Sequence, residues 1–241
     1  MSGTLYVVAT PIGNLEDITY RAVRVLASVD LIAAEDTRHT RKLLERYEIR
    51  TPLTSYHEHN ERQKAEALLT ALQAGRSVAL VSDAGTPGVS DPGYHLIRRA
   101  QEEGIPVVPV PGASAFLAAA SVSGFPLHTL LFGGFCSPRP GRRRRRLAEL
   151  ASVPATLVFY ESPHRLVRFL LDAAEVLGDR EAFIAREVTK HFESYHRGRL
   201  SALAQAFQKQ PPRGELTVVI APPEGNEDEP TSEELSAREC G

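Results

Sequence analysis

Four short apolar runs, Leu5–Ala9, Leu31–Ala34, Val78–Val81 and Val107–Val110, are spaced through the first half of the chain, with helix-like stretches between them. Each run is too brief for a helix and is apolar on both alternating faces, the mark of a strand buried on two sides. The intervening stretches have helical spacing. Asp17 is expected to cap a helix through Ala27 that carries Ile18, Ala22, Val25 and Leu26 on one face. A second helix is expected over Arg38–Tyr47. Asn60 caps a third, with Ala65, Leu68, Leu69 and Leu72 in phase and Gly75 as its stop, and Tyr94–Glu103 forms a fourth. Strands alternating with helices predict a parallel sheet covered on both faces.

The connection after the third run is the most telling loop. Residues 82–93 contain three Gly, two Pro, two Asp and two Ser. That is poor packing material but suits a loop that brings its backbone close to a ligand. It lies at the carboxyl end of a strand, where open α/β sheets bind. The second half begins with a small-residue helix at Ala113–Ser121. Strands are expected at Thr129–Phe132, Thr156–Tyr160, Ala182–Ala185, Phe192–His196 and Leu216–Ala221, with helices at Arg143–Leu150, Leu166–Leu177 and Leu200–Lys209. Strands follow one another more directly here, so a mixed sheet is expected. The resulting α/β architecture has lobes at 1–111 and 112–223, a ligand cleft between them and a disordered tail at 224–241.

The tail holds seven acids and one base, a charge of −6, which leaves +4 on the rest of a chain whose net charge is −2. Its polar, acidic composition cannot support a core. Five of the remaining bases form one run, Arg142, Arg143, Arg144, Arg145 and Arg146. Five like charges at a helix start repel one another and oppose the helix dipole, so a polyanionic partner is expected. Cys136 and Cys240 are too far apart in sequence for a metal knuckle or a disulfide framework. No stretch reaches the roughly 18 apolar residues of a membrane span, and no signal peptide is read at the start. Cytoplasmic residence and no membrane association are therefore expected.

Eight segments in order resemble one known group: Thr10–Thr19, Ala34–Arg38, His57–Asn60, Ser82–Pro87, Pro111–Ala115, Phe159–Arg165, Ala185–Lys190 and Gly214–Leu216. They resemble the tetrapyrrole-methylase-like enzymes that act on ribosomal RNA and, within these, the small-subunit ribosomal RNA cytidine 2′-O-methyltransferases. The resemblance implies a two-lobed tetrapyrrole-methylase-like fold, a homodimer, and S-adenosylmethionine as methyl donor in the cleft. It further implies a decoding-region cytidine of small-subunit RNA as acceptor, met in the assembled subunit. The first turn lacks the G-x-G-x-x-G dinucleotide fingerprint, consistent with a different donor site. Members of this group commonly carry a further small helical domain, whereas this fold is expected to end near Pro222.

From the same resemblance, Pro11, Asp83, Thr86, Pro87, Ser114 and Ala115 line the donor site, and the start of the helix at Ser114 offers backbone N–H groups to a carboxylate. Tyr160, Glu161, Glu215 and Leu216 hold the adenine side, with plain strand capping as the competing reading. A ribose hydroxyl is a poor nucleophile, so a base is expected. Glu35 is the leading candidate, and Asp36 is read as a helix cap. His57, Glu58 and His59 orient substrate; in an extended segment the two histidines share one face, but two ligands make no metal site. Arg38, Arg41, Arg165 and Lys190, with the arginine run, are expected to meet RNA phosphates. Two alternatives stay open: a tetrapyrrole C-methyltransferase, and a non-catalytic ribosome-binding relative.

Overall fold

The computed structural model of the chain describes residues 2–223, so the expected disordered tail lies outside the described residues. These residues form two compact units. The first comprises residues up to Ala118 together with Glu187–Glu193, and the second comprises Ala119–Arg186 and the residues from Ser194 onward. The expected boundary at 111/112 therefore falls seven residues early, and a short segment of the later sequence belongs to the first unit.

In the first unit the strands are β1 (Leu5–Val8), β2 (Leu31–Ala34), β3 (Leu53–Ser55), β4 (Val78–Val81) and β5 (Val107–Val110). They form one parallel sheet in the order β3-β2-β4-β1-β5. The helices are α1 (Tyr20–Ser28), α2 (Thr37–Arg46), α3 (Glu61–Gln73) and α4 (Tyr94–Glu102), and α5 (Ala115–Ser121) begins in this unit and ends in the second. Side chains alternate along each strand between two cores, as a pleat requires. Leu5, Ala33, Val78 and Leu80 pack with α3 and α4, while Val8, Ile32, Ala34, Ala79 and Val81 pack with α1 and α2. The strand at Leu53–Ser55 was not anticipated. It is three residues long, partly buried, and too short to show a period. The first helix starts later than expected, because Thr19 rather than Asp17 caps it: its Oγ1 accepts the Ala22 N–H at 3.1 Å. Asp17 instead closes a short 3-10 turn, Leu15–Asp17.

The second unit is a mixed sheet of β6 (Leu130–Phe135), β7 (Thr156–Glu161), β8 (Glu181–Arg186), β9 (Ser194–Arg199) and β10 (Leu216–Ile220), in the order β6-β7-β10-β8-β9. Only β6 and β7 run parallel; the other pairs are antiparallel. Helices α6 (Pro140–Leu150), α7 (Leu166–Leu177) and α8 (Leu200–Lys209) cover one face, over a core that includes Leu147, Phe159, Phe169, Ile184, Leu203 and Val218.

Candidate active site

Strand order fixes where a ligand can enter the first unit. The connections leaving β1 and β2 turn to the face of α1 and α2, whereas the one leaving β4, which lies between them, turns to the opposite face. Loops that part in opposite directions open a crevice at the carboxyl ends of the strands. Hydrogen bonds tie the loops after β1 and β4 together. The Thr10 and Gly85 backbones exchange two of them, at 2.9 and 3.0 Å, and Thr10 Oγ1 donates to the Ser82 carbonyl at 3.1 Å. Gly85 has φ +81°, a left-handed turn that glycine adopts without strain.

Glu35 and Asp83 are tied together across the β2–β4 step. The Asp36 N–H donates to Asp83 Oδ1 at 2.9 Å, and the Asp83 N–H lies 3.4 Å from Glu35 Oε2. Burial raises the Glu35 carboxyl above its ordinary value; the Asp83 N–H opposes this, the Asp83 and Asp36 charges reinforce it, and His57 opposes it. Asp36 does cap α2: Oδ1 accepts the Arg38 N–H at 2.8 Å, and the Arg38 guanidinium holds its carboxyl well below the usual range.

Asp91 is the residue that sequence reasoning missed. Burial is the main reason its carboxyl is pushed up to about 6; the Glu35 and Asp83 charges add to the effect, and a Ser82 hydrogen bond works against it. Ser90, just before it, has φ +65°, strain of roughly 1–3 kcal/mol that the loop sustains. Nothing in the sequence separates Asp91 from the loop's other polar residues, because its distinction is proximity to Glu35. Among the described residues no three potential ligands gather into a metal site.

The expected site residues divide into groups. Pro11, Asp83, Thr86, Pro87, Ser114 and Ala115 all belong to the first unit; Pro11 and Pro87 are buried, and Ser114 directly precedes α5, which is only seven residues long. Residues 58–60 form a turn, so the expected extended segment with paired histidines does not occur. His57 is half-buried, while Glu58 and His59 are exposed. In the second unit Tyr160 and Glu161 end β7, and Leu216, which pairs with Glu161, begins β10, so these residues and Glu215 share one end of the sheet. The Glu161 carboxylate is buried and accepts from the Ser162 N–H and the Arg165 Nε, both at 2.8 Å, which is the capping arrangement.

The arginine run is not the uniformly exposed, unbalanced charge expected of it. Helix α6 starts at Pro140, and Arg143 lies inside the fold at 5% exposure, its Nε 2.7 Å from Asp172 Oδ2. Arg144 pairs with Asp172 at 2.9 Å and with Glu175, and Arg146 pairs with Glu149. The acids that balance the run come mainly from α7, and Arg143 cannot present its charge to a phosphate. Arg142 and Arg145 are exposed without an ion-pair partner among the described residues. Arg38 is exposed beside Asp36 and Arg41 is exposed, whereas Arg165 pairs with Glu161 and Lys190 with Glu187.

The pattern of the tetrapyrrole (corrin/porphyrin) methylases matches residues 4–204. A Mesorhizobium japonicum protein named ribosomal RNA small subunit methyltransferase I is 53% identical, over 94% of this chain and 78% of its own length. A Thermotoga maritima protein of the same name is 50% identical, over 91% of this chain and 98% of its own. Among solved structures, uroporphyrin-III C-methyl transferase from Thermus thermophilus, complexed with S-adenyl homocysteine, has a TM-score of 0.64 at 21% identity, covering 90% of this chain and 97% of its own. A diphthine synthase has a TM-score of 0.67 at 16% identity, covering 91% and 90%. Likeness at those identities shows the fold alone.

Proposed function

Because this chain belongs to the tetrapyrrole methylase family, and within it to the ribosomal RNA small subunit methyltransferase I group, we propose that it methylates the ribose 2′-hydroxyl of a decoding-region cytidine in 16S ribosomal RNA, with S-adenosylmethionine as donor. One observation carries the choice of acceptor. Identity is 50–53% to relatives named for small-subunit RNA and 21% to the uroporphyrin enzyme, so the tetrapyrrole alternative rests on fold alone.

The crevice residues suit the donor. Asp83, Glu35 and Asp91 supply carboxylates at one place, and the donor carries a sulfonium and an ammonium charge. Pro11, Thr86, Pro87 and the Ser114–Ala115 backbone would line the same crevice. When bound, S-adenosylmethionine supplies a methyl group that is already activated. The protein has to orient the acceptor hydroxyl and take its proton, which are positional and acid–base tasks. Glu35 takes the proton, since burial raises its carboxyl toward the range a base requires. The protein works as a cytoplasmic homodimer on assembled small subunits, and exposed Arg38, Arg41, Arg142 and Arg145 meet backbone phosphates.

Small subunits lacking the modification are incubated with the protein and labelled S-adenosylmethionine, and the RNA is then hydrolysed in alkali. A 2′-O-methyl blocks cleavage at its own linkage, so the label is expected in an alkali-resistant dinucleotide. Label released in a mononucleotide would refute ribose methylation.

A further inference from the structure

Asn60 occupies the cap position of α3, yet its side chain makes no capping bond. A capping bond is worth about 1 kcal/mol, so the side chain has been diverted to another task. Oδ1 accepts the backbone N–H of His57 at 2.8 Å. That bond settles which end of the amide is which, because a backbone N–H can only donate. Nδ2 therefore faces the other way, 3.1 Å from His57 Nε2 and 3.2 Å from Ser55 Oγ. An amide nitrogen donates, so Nε2 of the neutral imidazole must accept, and the ring proton must sit on Nδ1. His57 Nδ1 is buried and has no hydrogen-bond partner among the described residues. A buried donor left unpaired costs about 1–3 kcal/mol.

We propose that Asn60 locks His57 as an Nδ1–H donor whose acceptor is the Glu35 carboxylate, the bond closing when substrate fills the crevice. Asn60 is thus a positioning residue acting through His57. Two observations support the choice of acceptor. β2 and β3 run side by side in the register Ala34↔Ser55, and the Tyr56 N–H donates to the Ala34 carbonyl at 2.7 Å, so the two strands lead directly into Glu35 and His57 at neighbouring ends. Glu35 also feels the charge of the His57 ring. Catalytic hydrogen bonds are often open in a free enzyme. Asp83, Asp36 and Asp91 surround the same carboxyl with negative charge, and a neutral N–H donor offsets them and keeps Glu35 ionised and aimed. On the function proposed above, the 2′-oxygen bonds to the methyl carbon, the carbon–sulfur bond breaks with its electron pair going to sulfur, and the hydroxyl proton passes to Glu35.

Two measurements on the full chain test this separately from that function. Proton–nitrogen NMR of the imidazoles, at a pH where the rings are neutral, is expected to show His57 protonated on Nδ1, and on Nε2 in Asn60→Asp. A wild-type proton on Nε2 overturns the proposal whatever the reaction proves to be. For methyl transfer, the Asn amide in His57→Asn falls where Nδ1 was, and the Gln amide in His57→Gln falls where Nε2 was. His57→Gln is expected to have a kcat roughly tenfold or more below that of His57→Asn, and its acid limb moves to higher pH, with S-adenosylmethionine affinity equal in both. Equal kcat and equal acid limbs in the two variants overturn it.

Discussion

The Asp91 environment favours a proton, holding the carboxyl at about 6 against an ordinary 3.8. A folded-state value above the unfolded one means the native fold prefers the protonated form. Its contribution to stability is complete below about pH 4 and is lost as pH rises through about 6. Asp91→Asn removes the charge that the fold resists. After discounting for solvent screening, it should gain about 1 kcal/mol at pH 7 and nothing at pH 4, read from urea midpoints. A gain equal at both pH values would show that the charge is not the cause. The strained Ser90 beside it and the Glu35–Asp83 lock suggest that the site gives up stability to gather carboxylates.

At the scale of elements, α6 and α7 show why a run of charges is a poor guide by itself. Asp172 holds both Arg143 and Arg144. Asp172→Ala leaves Arg143 buried without its counter-ion and should cost about 3–5 kcal/mol, seen as a lower denaturation midpoint. The double change Arg142→Ala with Arg145→Ala should spare stability but lower the salt slope of subunit binding by up to about two units, roughly one per phosphate contact. An unchanged slope would remove α6 from the RNA-binding surface. The Glu187–Glu193 segment belongs to the first unit although it lies between β8 and β9. Glu187 and Thr189 both have positive φ, and Thr189 Oγ1 accepts the Asn14 N–H at 3.2 Å, which joins this segment to the first unit.

For the whole molecule, several large apolar side chains remain exposed: Phe135, Phe192, Leu117 and Val122 are each more than half exposed. Exposed apolar area of this kind is what a second copy would cover. Sedimentation of the full chain at micromolar concentration should give twice the monomer mass of 26.4 kDa. A single species at the monomer mass would end the homodimer reading.

The sequence alone determined the parallel and mixed sheets, the positions of most helices and the glycine-rich loop after β4. These follow from period and turn chemistry, which are local. It also placed Glu35 and Asp83 at strand ends, since each directly follows its strand or nearly so. Tertiary structure decided which of those ends are neighbours: the pairing of β2 with β4 brings residues 35 and 83 together and helps turn Asp91 into a carboxylate pushed toward neutrality. It also decided that Arg143 serves the core, because its counter-ion Asp172 lies 29 residues further along on another helix. Periodicity reports what a residue does within its own element. Burial, ion pairing and the tautomer of His57 depend on partners that only the packed chain supplies.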